Sequence, residues 1–288
     1  MAKKYILVTS DTKMIGPRTL YRIRSLVDIP GTVAAGEMGG YIQSEANLDH
    51  SGQCWVADNA CVFEDAVVTG NAKVRGNALV YGSATVRDNA TVSGDSKVHG
   101  YASIEDHSGV FGNGIVCDEA RLEGHANVHC RGRVCQNAVV YDYACVADEA
   151  IVGGEARIED SSLIAGGAQV SGETVVVGRA VIKHEARINS SMDYMTMGPF
   201  CSHRNVLTAY RNEDGGIKIH CDLDLFSGSL EDLESFMKTS VSAKNGPSSD
   251  VIIQTIHAFL PSSDEAPTQT DAGVSNQTGR RNQQRSSN

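Results

Sequence analysis

The residues best equipped for chemistry are Tyr81, His99, Cys117 and Cys135, which follow one another at intervals of eighteen, with Lys97 two residues before His99 and Arg133 two before Cys135. An imidazole beside a thiol, flanked by two cations, is the composition of a thiolate nucleophile with its base, or of a soft-metal site. Three further histidines, His107, His125 and His129, lie close enough in sequence to ask whether they converge on a metal, with Asp106 and Asp142 nearby. Whether any of these side chains meet depends on the element that repeats every eighteen residues.

That element is written in the aliphatics. From Val56 to Ile188 every sixth residue is Val, Ile or Leu, twenty-three positions without an exception, and four residues after each, from Ala60 to Ala186, stands Ala, Ser, Gly or Thr. A helix cannot hold a six-residue stripe on one face, because 3.6 residues per turn rotates it away. A strand can: Ala78 and Val80 point one way while Leu79 and Tyr81 point the other. The pair that follows is mostly Gly, Asn or Asp (Gly76-Asn77, Asp88-Asn89, Gly94-Asp95), suited to left-handed backbone at a corner. Each hexad is one short strand and one corner.

Three sides close a triangular coil of eighteen residues, and parallel pairing stacks the next coil about 4.8 Å further on. The prediction is an all-β solenoid of seven to eight triangular coils, roughly 35 Å long at that spacing, over 56–190. In it Tyr81, His99, Cys117 and Cys135 stack in one outward column, with Lys97 and Arg133 in the column beside it. His107 stacks on His125 at a corner and His129 falls on the next face, so the three do not converge and no metal is assigned. The plainer reading of the His–Cys column is coincidence, since outward positions of a coil tolerate many residue types. Cys117 and Cys135 would come within disulfide range. Arg87, Glu105, Arg121, Glu123, Arg157 and Glu159 should form charge ladders paired across strands. Val67, Val139, Tyr141, Val175 and Val177 form a mostly apolar strip suited to contact with another prism.

The ends lack the hexad. Residues 1–55 should form an N-terminal cap, with a strand at Tyr5–Val8 and a second strand or short helix over Leu20–Val27, because a bare solenoid end exposes strand edges and apolar interior. Trp55 at the junction reads as packing. Residues 191–241 should form a C-terminal β-β-α cap: a hairpin across Asn212–Gly216, then a helix opened by Ser229 with Glu231 and Asp232 in its first turn. From 242 to 288 the chain is rich in Ser, Asn, Gln, Thr and Pro and should be mostly disordered, apart from an apolar island at Val251–Leu260.

The net charge is −10, and between Val56 and Ser190 eighteen acids face eleven bases, so no basic stripe tracks phosphates and nucleic acid is not expected as a partner. No apolar run is long enough for a membrane span or a signal-peptide core. Eight cysteines without a CxxC pair fit reduced thiols in a cytoplasm.

The V-x-G-x-A repeat resembles the hexapeptide repeat of the left-handed parallel β-helix family, which includes bacterial acyltransferases and gamma-class carbonic anhydrases. Those enzymes often place Gly directly after the aliphatic, whereas here Arg75, Tyr81, Arg87 or His99 stands there and Gly follows one later. The left hand is what the resemblance implies, while the general preference for right-handed parallel crossovers points the other way. With its two ends, about 240 residues resemble a group of bacterial and prophage proteins of unassigned activity, some carrying an acetyltransferase name.

The resemblance implies homotrimers, and for an enzyme a loop that breaks the repeat; here the hexad never skips. The leading expectation is therefore a non-enzymatic scaffold or binding protein of bacterial or phage origin. It would act in the cytoplasm, the host's if phage-encoded, with a protein partner or itself as partner and no cofactor. Tyr81, Cys117, Cys135, Lys97 and Arg133 would line its binding patch. The alternative is an acyltransferase using acetyl-coenzyme A, with His99 or His129 as general base. A polymer-forming solenoid is a third class, opposed by the caps.

Overall fold

A computed structural model describes residues 3–200, 205–221, 226–239 and 249–261. Its body is a parallel β-solenoid of twenty-three two-residue strands, from β4 (Trp55–Val56) to β26 (Arg187–Ile188), one per hexad. Each strand pairs in parallel with the strand three further on, eighteen residues away: Lys97 with Ile115 and Ile115 with Arg133, for instance. The strands sort into three sheets, the faces of the prism. Face one carries Lys97–Val98, face two Ser103–Ile104 and face three Gly109–Val110.

All twenty-three aliphatics are sealed in the interior, with exposures of 0–1%. The small residues beside them are buried too, and the reason is space: a Cβ added to Gly132 would lie 2.6 Å from the Val146 carbonyl oxygen on the next coil. Branched aliphatics fill the wide part of the triangle, and the narrow space near its corners holds residues no larger than Thr174.

The first residue of every corner, from Asp58 to His184, has positive φ, but only half of the twenty-two are glycine. Nine of the other eleven are Asp, Glu or Gln, whose side-chain oxygen recovers the cost of the left-handed conformation; Cys130 and His184 hold it without one. Asp58 Oδ2 accepts the Gly76 N–H of the next coil at 2.9 Å, and Asp118, Asp148 and Asp160 do the same for Gln136, Gly166 and Gly178 at 2.8–3.0 Å. At Gly100 a Cβ would lie 2.8–2.9 Å from Asp118 backbone atoms. Gly100→Asp should therefore stay within about 1 kcal/mol of the parent, its carboxylate capping the next coil, whereas Gly100→Val should lose about 2 kcal/mol or more. Thermal unfolding of both variants reads the difference; equal losses would show that the carboxylate does nothing.

The N-terminal cap is a meander, β1 (Tyr5–Ile15), β2 (Arg18–Ser25) and β3 (Met38–Ile42), that continues face one. β1 is longer than the sequence indicated, and the second strand starts at Arg18. β3 pairs in parallel with Cys61–Val62, and Leu48 bridges to Val68, so Ile42 and Leu48 occupy the interior as part of a coil preceding Val56. From Leu48 to Val56 is eight residues instead of six, which hid this coil from the periodic reading. The carbonyls freed by the wider turn are met by Lys4, only 4% exposed, whose ammonium donates to Cys54 O at 2.9 Å and Ser51 O at 3.3 Å. Trp55 is buried edge-on to Tyr5, a packing role.

At the other end β27 (Tyr194–Phe200), β28 (Asn205–Arg211), β29 (Ile217–Cys221) and β30 (Phe226–Gly228) form an antiparallel sheet, and Tyr194 and Tyr210 close the solenoid core. Helix α1 (Leu230–Thr239) opens with a reciprocal cap: Asp232 N–H donates to Ser229 Oγ at 3.2 Å and Ser229 N–H to Asp232 Oδ2 at 2.8 Å. The apolar island is a second helix, α2 (Ser249–Phe259). Ile252, Ile256 and Leu260, four apart, face Leu207, Ala209, Ile219 and Leu233. The expected disorder of 242–248 and of the terminal stretch from 262 lies outside the described residues. No described helix is long and apolar enough to cross a membrane.

Candidate functional site

Face one brings together the residues singled out for chemistry. Phe63, Tyr81 and His99 form a ladder of stacked rings, with centroids 5.1 and 4.8 Å apart and planes within 14° of parallel. Arg18 of the cap lies over Phe63 at 6.0 Å. His99 is thus the third rung of an aromatic stack. Burial holds its imidazole below the usual value, opposed by Asp118, with Arg133 and Lys97 adding to the depression, so its neutral form is favoured. Beyond it Cys117 is buried and Cys135 half-buried. Burial pushes both thiols up, and the Arg133 guanidinium, 3.9 Å from Cys117 Sγ, does not outweigh it. A protonated, sequestered thiol is a poor nucleophile. Lys97 and Arg133 are exposed, and Ile115 stands between them in their column.

His129 lies on face three, away from His99, in a cluster that periodic reading did not show. Its Nδ1 is 3.2 Å from Cys130 Sγ and its Nε2 is 3.1 Å from Cys145 Sγ. Cys130 holds a corner at φ 57° and is exposed. The signal that could have found Cys145 is diagonal: it is sixteen residues after His129, one coil on and two residues back. Burial, with Cys130 and Asp148 adding, pushes the Cys145 thiol from 9.0 up to about 11. The folded chain then keeps a proton that the unfolded chain releases, so this contribution to stability is complete below pH 9 and is lost as pH rises through about 11. Cys145→Ala should make the alkaline fall in unfolding free energy shallower across that window. An unchanged slope in urea titrations would refute the assignment.

His107 and His125 form a corner ladder, His107 on His125 at 5.0 Å and His125 on Tyr143 at 4.8 Å. Asp106, beside it, accepts the Gly124 N–H at 2.9 Å, a corner cap. Among the described residues no group of three or more His, Cys, Asp or Glu is arranged to hold a metal ion. On face two Arg87 pairs with Glu105 across coils, as expected, but Arg121 pairs with Glu123 at 2.6 Å and Arg157 with Glu159 at 3.0 Å along their own strands. Val139 is the direct neighbour of both arginines, so the acid two residues on is the available partner. The apolar strip is interrupted: Arg157 and Glu159 separate Val139 and Tyr141 from Val175 and Val177, and Arg157 donates to Tyr141 Oη at 3.2 Å.

The fold and these faces define the chain as a capped parallel β-solenoid. Comparison with protein-family models gives no match, and none of the curated proteins matches it either.

Proposed function

We propose that this chain is a non-enzymatic scaffold whose rigid faces bind or organise another protein, in the cytoplasm of a bacterium or of a phage-infected host. The observation that carries this reading is the continuity of the three faces. Outward columns run from coil to coil, and the groups best suited to catalysis are spent within them. His99 is a rung of a ring stack, Cys117 and Cys135 are protonated thiols, and corner carboxylates cap backbone N–H groups. Such a surface presents fixed side chains at the strand spacing, which suits recognition of an extended partner or of a second prism, as in the homotrimers of the hexapeptide-repeat family.

One observation favours acyl transfer from acetyl-coenzyme A instead: the His129 imidazole sits 3.1 Å from the Cys145 thiol, within reach of a nucleophile–base pair. Thermal unfolding with and without millimolar acetyl-coenzyme A, with the mass from light scattering, separates the two. The scaffold reading expects no donor-dependent shift. A stabilised trimer whose shift disappears in His99→Ala or His129→Ala would overturn it.

A further inference from the structure

Face three differs from the other two in charge. Within the hexads, its outward positions from Thr91 to Ala165 are ten in a row without Asp, Glu, Lys or Arg. The longest such run is five on face one, from Cys135 to Ser171, and three on face two, from Val67 to Thr85. The ten form one patch, because Thr91, Gly109, Asn127, Cys145 and Leu163 pair in register from coil to coil. The patch is shallow. Ala147 and Ala165 are 4% and 3% exposed, and the Phe111 ring fills the space above Gly109, where an added Cβ would meet it at 2.2 Å. Charge returns at the margins: Lys73 and Arg75 precede the patch and Lys183 follows it. On the corner toward face one, Arg131 and Glu149 pair at 2.7 Å with side chains 72% and 66% exposed. A centre depleted of charge inside a charged rim is the anatomy of a protein–protein interface.

The patch is also complementary to itself. A two-fold axis lying along the strands, and crossing face three midway between the coils of Val128 and Val146, would turn a second copy end for end. It sets Gly109 opposite Leu163, Phe111 opposite Ala165, Asn127 opposite Cys145 and His129 opposite Ala147. Three of these four pairs set a large side chain against Gly or Ala, and Leu163 of one copy comes onto the Phe111 ring that covers Gly109 of the other. At the corner the same axis sets Arg131 opposite Glu149, so the two intrachain pairs join into one network of alternating charge. A two-fold along the prism would instead bring the two Phe111 rings onto each other and set Arg131 beside His125. Five coils at about 4.8 Å and a side of about 20 Å bury about 1,000 Å2 in the pair, the lower bound for a specific interface.

We propose that face three binds a second copy of this chain, the two prisms packing antiparallel about that axis in a reversible dimer. The inference rests on the reading of the faces as binding surfaces, and it names one face and its occupant. Faces one and two, with their charged columns, remain outward for a different protein. The dimer also covers His129 and Cys145, which lie beside the axis. It is read from the unliganded protein, so its outcome is separate from the acetyl-coenzyme A response that tests the scaffold reading.

The test is sedimentation velocity of the full chain from about 1 to about 500 µM, which should show a concentration-dependent shift from monomer to dimer. Leu163→Arg should weaken dimerisation by about tenfold or more, whereas Gln169→Arg, an outward position on face one, should leave it unchanged. Arg131→Glu, on an exposed corner where folding does not depend on it, should weaken the dimer about tenfold, and Arg131→Glu/Glu149→Arg should restore it, because the axis exchanges the two residues. A monomer throughout overturns the proposal and leaves the patch to another part of the chain or to a different protein. A trimer overturns the two-fold, and a dimer that survives Leu163→Arg, or that Gln169→Arg disrupts equally, overturns the face. A dimer indifferent to Arg131→Glu, or not restored by the exchange, overturns the antiparallel register.

Discussion

Leu122→Ala should lower the unfolding free energy by about 3 kcal/mol, whereas Arg121→Ala, one residue earlier on the same strand, should change it by no more than about 0.5 kcal/mol. Leu122 has no exposed surface and stacks between Ile104 and Val140 in the middle of the prism. Its truncation removes transfer free energy and leaves a cavity that the neighbouring coils, locked by parallel hydrogen bonds, cannot collapse to fill. Arg121 points outward, its side chain half exposed and paired with Glu123 at 2.6 Å, an arrangement that solvent screens. Urea unfolding of both variants measures the contrast. Similar losses would mean that the inside-outside alternation is wrong at this coil, and with it every column on the three faces, since a one-residue slip turns all of them over.

That alternation is the part of the structure most fully legible in the sequence. A six-residue period with a small residue at a fixed offset specifies short strands and corners stacked every eighteen residues, but not the hand of the coil, and that register alone puts Tyr81, His99, Cys117 and Cys135 in one column. What the period could not carry is anything that breaks it or cuts across it. The coil through Ile42 and Leu48 was hidden by two additional residues before Val56. The Cys130–His129–Cys145 cluster escaped because it runs diagonally between columns. Helix α2 was masked by composition: its apolar period of four is short and its surroundings polar. The electrostatics were out of reach for a different reason, because the spacing of His99, Cys117 and the two cations suggests activation, while burial, which only the packed faces reveal, pushes the thiols the other way.

The coil that the sequence concealed also makes the most exacting demand on a single polar side chain. Asn47 is only 1% exposed, and its Nδ2 donates to Glu64 O and Ala66 O, both at 2.9 Å, while its Oδ1 accepts the Ser44 N–H at 2.9 Å. Where later corners use a carboxylate to accept one backbone N–H of the next coil, this coil uses an amide side chain to bind the irregular turn at Glu45–Asn47 to two carbonyls of the coil above. Asn47→Ala removes the partner of the buried Ala66 carbonyl and of the part-buried Glu64 carbonyl and Ser44 N–H, and should cost about 3 kcal/mol. Asn47→Asp keeps the volume but sets a carboxylate against two carbonyl oxygens and should cost more. Because each coil touches only its neighbours, the loss should appear first at this end. The Tyr41 and Gln43 amides, which donate to Ala60 O at 2.9 Å and Val62 O at 3.1 Å, should exchange their hydrogens faster in Asn47→Ala, while amides in the middle coils keep their protection. Uniform acceleration along the prism would instead show that cap and solenoid unfold as one unit. No change at Tyr41 and Gln43 would show that Asn47 does not hold this coil in place.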